Sequence, residues 1–300
     1  MARQTDGVDR QNDPRLDAQI DAQNDPRLDA QIDAQIDVAA ALGTYLEIID
    51  SCAPGLVEGL YVVGSYALGD WRPGHSDIDI IAVTAEPATD EDAGNLLTAH
   101  ALLAEHQPRP FIDGPYLAWG DLITPPMALH RPWSIDGELH HDGDCFELNP
   151  VTWYVLANDG VTVRGPSVDR LGTYIDVDAR VRFVVDNLAS YWTPLAASVR
   201  EACEADPDHR FTADALEWCA LGALRLHHTA FEGGVVSKRG AGEYGLNVAP
   251  SRFAPLLRDA MAIRAGTAAL DSASTAQLLL AAELIEWCTR AAAEAAAPGI

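Results

Sequence analysis

The stretch from residue 60 to residue 84 limits the possible folds more than any other part of the chain. An apolar run, Leu60–Val63, stops at Gly64-Ser65, which is the pattern of a buried strand that ends in a tight turn. A polar loop follows, and Asp77 and Asp79 then open a second apolar run. Because strand residues alternate between two faces, the two aspartates point one way while the isoleucines beside them point into the core.

Two carboxylates on one face of a strand repel each other unless a cation lies between them. Oxygen ligands of this kind suit Mg²⁺, which keeps its other coordination sites for water and phosphate oxygens. The Gly64-Ser65 turn can present backbone N–H groups and a hydroxyl to a phosphate, because glycine has no side chain to block the approach. The stretch therefore indicates a site for a metal ion and a phosphate compound.

Gly64-Ser65, Gly69-Asp70 and Ser76-Asp77-x-Asp79 resemble, in this order, the signature of the DNA polymerase β-like nucleotidyltransferase superfamily. The resemblance implies that Asp77 and Asp79 hold one or two Mg²⁺ ions. It also implies that Gly64, Ser65 and the hydroxyl of Ser76 hold the phosphates of a nucleoside triphosphate.

A third apolar run, residues 111–117, predicts a strand that carries one acidic residue, Asp113. Asp113 matches the place of the third carboxylate in the nucleotidyltransferase pattern, where the antibiotic-modifying members usually have Glu. The resemblance implies that it is the catalytic base, a third metal ligand, or both. If Asp113 is not the base, Glu105 and Asp121 are the next candidates.

The net charge of -25 argues against nucleic acid as a partner, because binding phosphates requires a basic surface. It would help to attract a cationic small molecule, although it serves solubility equally well. The five cysteines have no metal-binding spacing and predict reduced thiols in a cytoplasm. Neither a secretion signal nor an apolar run of the roughly 18 residues that a membrane helix needs is expected.

The chain is predicted to have three parts. Residues 1–37 contain a repeated segment, Gln11–Ala22 and again Gln23–Ala34, with too few large apolar residues to bury a core, and predict a mobile or weakly helical extension. Residues 38–150 alternate strands and helices, whereas residues 151–300 have helical spacing almost throughout. We expect an α+β protein, in which a nucleotidyltransferase domain with a small mixed sheet flanked by helices precedes an all-helical bundle domain, and we expect a monomer.

The second half makes the resemblance more specific. Segments 149–153, 163–166 and 223–244 look like the C-terminal domain of the streptomycin and spectinomycin adenylyltransferases. In that family an Arg and a Lys spaced like Arg225 and Lys238 reach the nucleotide triphosphate from the helical domain. Trp192 and Asp186 lie in the part of the chain where the acceptor cleft is expected.

Lys238 occupies an unusual position for a cation. Ser237 is predicted to cap the helix that follows it, so the ammonium group lies near the positive end of that helix. A cation is unfavourable there unless an anion is close, and the resemblance implies that the triphosphate supplies one.

The resemblance implies that an acceptor hydroxyl attacks the α-phosphorus of ATP and releases pyrophosphate. The expected acceptor is an aminoglycoside or aminocyclitol antibiotic, whose ammonium groups suit an acidic cleft. Two alternatives remain, a protein-modifying nucleotidyltransferase of the toxin–antitoxin kind and a nucleotide-binding sensor without catalysis. The helical second domain counts against the first alternative, and the three carboxylates count against the second.

Overall fold

The structure, a computed structural model, describes residues 26–268 and 272–296. The first copy of the repeat and the predicted extension up to residue 25 lie outside the described residues. The strands are β1 (Val57–Val62), β2 (Ile78–Thr84), β3 (Ile112–Ala118), β4 (Trp133–Ile135), β5 (Glu138–His140), β6 (Val161–Arg164), β7 (Arg210–Thr212) and β8 (Ser272–Ser274). The α-helices are α1 (Pro26–Cys52), α2 (Gly64–Ala67), α3 (Asp90–His106), α4 (Pro150–Asp159), α5 (Val177–Asn187), α6 (Thr193–Ala205), α7 (Ala213–Glu232), α8 (Lys238–Val248), α9 (Ala254–Arg264) and α10 (Thr275–Ala296).

Six strands form one mixed sheet in the order β5-β4-β3-β2-β1-β6. Strands β2 and β3 are parallel, and helix α3 makes the crossover between them. A capping box begins α3, since Thr89 Oγ1 accepts from the Asp92 N–H while the Asp92 carboxylate accepts from the Thr89 N–H. The parallel register pairs Asp79 of β2 with Asp113 of β3, which brings two of the predicted site residues side by side.

Both faces of the sheet are covered, which explains why β2 reads as an almost continuous apolar run. Ile78 and Ile80 pack with α1 and α3 on one face, as the alternation predicted. Ile81 faces the opposite side and packs in a cluster that includes Trp153 of α4. The boundary proposed at residue 150 remains a prediction; α4 packs against the sheet and β6 pairs with β1.

The sequence has helical spacing from Val38 onward, which predicts a helix there, but helix α1 begins earlier, at Pro26. Among the residues whose side chains the structure describes, Val38 is the first buried one on this helix. The residues of the second repeat copy from Pro26 onward are therefore helical.

The helical half is built around α7, whose buried face packs against α8, α9 and α10. The apolar spacing of residues 180–200 predicts one helix, but the structure has two, α5 and α6, joined by a π-helical turn, Leu188–Trp192. Such wider turns frequently occur at functional sites. Besides β6, which belongs to the large sheet, the described residues of this half form one small two-stranded sheet, β7–β8. The predicted α+β class, a mixed sheet with helices followed by a helical region, is confirmed.

All five cysteines are unpaired, and four of them are buried. Within residues 26–268 and 272–296, no helix is long and apolar enough to cross a membrane.

Candidate active site

A cavity of about 1000 Å³ lies between one end of the sheet and the helical half. Both halves of the chain contribute to its walls. The predicted site residues that line it are Gly64, Ser65, Ser76, Asp77, Asp79, Trp192, Arg225 and Lys238. Asp113 adjoins this wall as the register partner of Asp79.

The Gly64-Ser65 turn is shaped around the carboxylate of Asp79. Gly64 has a φ of 59°, a left-handed conformation that side chains disfavour, and a Cβ there would lie 1.7 Å from Asp79 Oδ2. The Ser65 N–H donates to the same Oδ2 at 3.3 Å. Glycine is therefore required at this position for two reasons, its backbone angle and the space that Asp79 occupies.

Ser76 closes the loop between β1 and β2. Its Oγ accepts a hydrogen bond from the Arg72 N–H at 3.1 Å, and its side chain lines the cavity. The hydroxyl thus lies beside Asp77, at the entrance to the strand that carries the carboxylates.

Three carboxylates converge at the ends of the strands. Asp77, Asp113 and Asp136 each place one oxygen within 4.8 Å of the others. The pKa of Asp113 is raised to about 6, mainly by burial and to a smaller extent by the negative charges of Asp77 and Asp79, while the N–H groups of residues 137 and 136 oppose the rise. Burial also raises the pKa of Asp79, against the Ser65 N–H and the positive charge of Arg225.

The donor set consists of carboxylate oxygens, which are the ligands that a hard divalent cation such as Mg²⁺ prefers. The raised pKa of Asp113 reflects, after burial, repulsion between neighbouring carboxylates, and a cation between them would relieve that repulsion. The carboxylates of Asp77, Asp113 and Asp136 therefore fit a magnesium site, and Asp79, which was also predicted as a metal ligand, lies beside Asp113 as its register partner.

Asp136 and Arg109 are two members of this cluster that the sequence analysis missed. Asp136 lies in the tight turn between β4 and β5 with a left-handed φ of 51°, and its N–H donates to Asp113 Oδ2 at 3.1 Å. Arg109 Nη1 donates to Asp77 Oδ1 at 2.9 Å, and its guanidinium lies 3.7 Å from the centre of the Phe111 ring. The Asp136-Gly137 dipeptide is a known hairpin-turn signal and could have located the turn.

Glu147 is a further carboxylate that the sequence analysis missed. It lines the cavity, and its Oε2 lies 3.3 Å from the point that a Cβ on Gly114 would occupy. Burial raises the pKa of Glu147 well above its usual value, and the charges of Asp79 and Asp113 act in the same direction. No local pattern marks this residue, because it follows an irregular segment.

The opposite wall carries positive charge. Arg225 donates from Nε to the Val236 carbonyl at 3.2 Å, and its charge acts on Asp79. Lys238 begins helix α8, which Ser237 caps as predicted by accepting from the Gly240 N–H at 3.1 Å. Arg264, which the sequence analysis did not single out, lines the same wall.

Aromatic side chains cover the part of the cavity next to this wall. Trp192 stacks on Trp218 with ring centres 5.3 Å apart, and the Lys238 ammonium lies 5.2 Å from the Trp218 ring. Gly222 makes room for the stack, since a Cβ there would lie 2.0 Å from Trp192 Cη2. Asp186 has an exposed side chain and does not line the cavity, so the structure brings Trp192 to the site but not Asp186.

The two reserve candidates for the base lie outside the cavity lining. Both carboxylate oxygens of Asp121 accept from Arg131, at 2.7 and 2.8 Å. Glu105 is exposed near the end of α3. Asp113 is thus the candidate that stands next to the other carboxylates.

Comparison with known proteins agrees with this geometry. Residues 44–109 match the family model described as nucleotidyltransferase domain, a segment that includes Gly64, Ser65, Asp77 and Asp79. The fold is similar to that of spectinomycin adenyltransferase AAD(9) from Enterococcus faecialis, solved with ATP and spectinomycin. The two share 15% identity with a TM-score of 0.58 over 84% of this chain and 98% of that chain. At this identity the likeness shows the fold, and no curated protein matches the chain. The predicted resemblance to the nucleotidyltransferases is confirmed over residues 44–109, and the predicted likeness to the adenylyltransferases is confirmed for the fold.

Proposed function

We propose that the chain, whose residues 44–109 match the nucleotidyltransferase domain, is an enzyme that transfers AMP from ATP to a hydroxyl group of a small cationic acceptor, with Mg²⁺. The acceptor that we favour is an aminoglycoside or aminocyclitol antibiotic. One observation carries the proposal. Carboxylates on the sheet and cations on the helical half face each other across one cavity of about 1000 Å³.

The two walls suit the two parts of a metal-bound nucleotide. Magnesium bound at Asp77 and Asp79 would neutralise negative charge that develops on the phosphates. The Gly64-Ser65 turn supplies a short helical turn whose backbone lies against Asp79, and Arg225 and Lys238 supply positive charge for the rest of the triphosphate.

In the proposed reaction the acceptor oxygen forms a bond to the α-phosphorus, and the bond from that phosphorus to the bridging oxygen breaks. Pyrophosphate leaves with the bonding electrons, and the hydroxyl proton passes to a base. Asp113 suits this role because a pKa of about 6 keeps it largely ionised at neutral pH and still basic enough to accept a proton. The N–H groups of Asp136 and Gly137 hold its carboxylate in place at 3.1 and 3.3 Å.

The rest of the cavity supports a cationic acceptor with apolar faces. Glu147 and Asp144 line it on the sheet side, and the Trp192–Trp218 stack covers the other side. Aromatic faces and carboxylates together bind ammonium groups and the apolar faces of sugar rings. The net charge of -25 also favours a cationic partner over nucleic acid, and the unpaired thiols suit a reducing cytoplasm. We expect a monomer that acts without a membrane.

Pyrophosphate release tests the proposal. The purified protein would be incubated with MgATP and a panel of aminoglycosides, spectinomycin and neutral polyols, and the product identified by mass spectrometry. We expect acceptor-dependent pyrophosphate release and a mass gain of one AMP on at least one aminated acceptor. Asp79→Asn is the variant expected to be inactive. Asp142→Asn makes the same substitution at an exposed aspartate and is its matched control. Release that does not depend on a cationic acceptor would contradict the acceptor class, and AMP attached to a protein would favour the protein-modifying alternative.

A further inference from the structure

The chain contains a single lysine, Lys238, and its ammonium group already has an anionic partner inside the protein. Lys238 Nζ lies 3.1 Å from Glu217 Oε1. Glu217 is only 4% exposed although it is charged. The same carboxylate contacts Arg264 Nη1 at 3.3 Å and Arg72 Nη1 at 3.5 Å. One buried glutamate therefore faces three cations.

These contacts join the two halves of the molecule. Arg72 belongs to the loop between β1 and β2, whereas Glu217, Lys238 and Arg264 lie on α7, α8 and α9. Arg264 also binds Asp70 of the same loop, with Nε 3.2 Å from Oδ2 and Nη2 2.5 Å from the backbone carbonyl. The network thus fixes the loop beside the helical wall of the cavity.

The cations of the network are not held equally firmly. Arg264 has three partner atoms, which belong to Glu217 and Asp70. Lys238 has one hydrogen bond, to Glu217, within the part of the chain that the structure describes. Arg72 has one longer contact, 3.5 Å to Glu217, but does not line the cavity. Of the two network cations that line the cavity, Lys238 can change partner at less cost than Arg264, because a lysine ammonium is a flexible point charge and this arginine fork is held by three bonds.

Positive charge also exceeds negative charge at this wall. Three cations, Arg225, Lys238 and Arg264, line this wall. The carboxylates within 4 Å of Lys238 and Arg264 are those of Glu217 and Asp70. Burial lowers the pKa of Lys238, and the charge of Glu217 opposes that effect. A phosphate chain in the cavity would supply the missing negative charge.

We propose that Glu217 is a positioning residue that takes the place of a phosphate group: it holds Lys238 at the phosphate wall while no nucleotide is bound, and it gives Lys238 up to the triphosphate while keeping Arg72 and Arg264. The inference rests on the proposed function, because it assumes that the cavity takes a triphosphate. The role proposed for Glu217 differs from a purely structural role in its effect on ligand binding. A carboxylate that competes with phosphate for Lys238 weakens binding, so its removal strengthens binding.

The test measures the affinity of wild type and Glu217→Gln for MgATP and for inorganic tripolyphosphate by calorimetry. We expect Glu217→Gln to melt at a lower temperature without ligand and to bind both ligands at least threefold more tightly. Glu286→Gln is the matched control, because it also removes a carboxylate that pairs with an arginine, Arg200 at 2.8 Å, but does so outside the cavity lining. This control should change neither affinity. Unchanged or weaker binding by Glu217→Gln would overturn the proposal.

A second measurement uses wild type alone and decides the matter if Glu217→Gln does not fold. Protein labelled with ¹³C at lysine gives one side-chain signal, from Lys238. Saturating tripolyphosphate or MgATP should shift this signal, because the ammonium group exchanges a carboxylate for a phosphate. A bound ligand that leaves the signal in place would overturn the proposal.

The two ligands separate this inference from the proposed function. If wild type binds MgATP, but Glu217→Gln does not bind more tightly or the Lys238 signal does not shift, the inference fails and the proposed function stands. If wild type binds tripolyphosphate as expected but not MgATP, the function fails and the inference stands. If it binds neither, both fail.

Discussion

The substitution Asp113→Asn should make the free protein more stable at neutral pH, although it removes a candidate catalytic residue. The side chain of Asp113 is 5% exposed and stands next to Asp79 and Asp77. Asparagine has nearly the same shape, and its amide oxygen can still accept from the Asp136 N–H. The variant therefore removes a buried negative charge while it keeps a hydrogen bond.

The size of the effect follows from the pKa. A rise from 3.8 to about 6 corresponds to about 3 kcal/mol of folding free energy at about 1.36 kcal/mol per pKa unit. Because the folded protein binds this proton more tightly than the unfolded chain does, the free energy of unfolding decreases as the pH rises from about 4 to about 6. Above about pH 6 the wild-type protein has lost this free energy of unfolding in full. Asp113→Asn cannot ionise at this position and therefore does not lose it.

Urea unfolding of both proteins without metal, at about pH 4 and about pH 7.5, measures this difference. We expect Asp113→Asn to be about 1–3 kcal/mol more stable at the higher pH and close to wild type at the lower one. Added Mg²⁺ should stabilise wild type more than the variant, because a cation relieves the repulsion. Asp142→Asn, at an exposed position, controls for the loss of one charge. A variant that is less stable than wild type at neutral pH, or a difference that does not depend on pH, would refute this account.

Further predictions concern the metal, the acceptor wall and the beginning of the chain. Asp79→Asn should lower pyrophosphate release to less than about a tenth of wild type while the circular dichroism spectrum is kept, because a lost metal ligand removes several kcal/mol of charge stabilisation; higher residual turnover would contradict the metal assignment. Gly222→Ala should displace the Trp192–Trp218 stack, because its Cβ would lie 2.0 Å from Trp192, so we expect a loss of about 1–3 kcal/mol in stability and a raised KM for the acceptor with less change in the KM for ATP. Removal of residues 1–37 should leave the melting temperature and turnover unchanged, since this segment has few large apolar residues with which to form a core; a clear drop in either would show that the segment contributes to the fold.

The sequence was sufficient where the chemistry lies within a short stretch. Gly64 and Asp79 are separated by one turn and one loop, and the alternation of β2 alone predicts the direction of the Asp79 side chain. The apolar spacing of residues 254–264 predicts a helix, and α9 has these bounds. Local spacing carries this information because neighbouring residues in a strand or helix have a fixed geometry.

The segment from residue 118 to 145 shows where the prediction was incomplete. Its content of Trp, His, Pro and Gly predicts a loop, but it contains the β4–β5 hairpin. Each of these strands has three residues, which is too short for a recognisable alternation. The hairpin matters because its turn brings Asp136 to Asp113, and that contact joins residues 23 positions apart.

Lys238 shows most clearly what a sequence can and cannot specify. A lysine at the beginning of a capped helix predicts a nearby anion, and the triphosphate was the anion that the sequence suggested. The structure adds a second one, Glu217, from the preceding helix. A sign of this was present, because Glu217 has helical spacing to Ala220, Leu221 and Leu224, all buried, so it lies on the apolar face of α7. A carboxylate on such a face requires cationic partners, since an unpaired buried charge is costly. Which cations they are depends on how α8, α9 and the β1–β2 loop pack around α7, and only the folded arrangement supplies that.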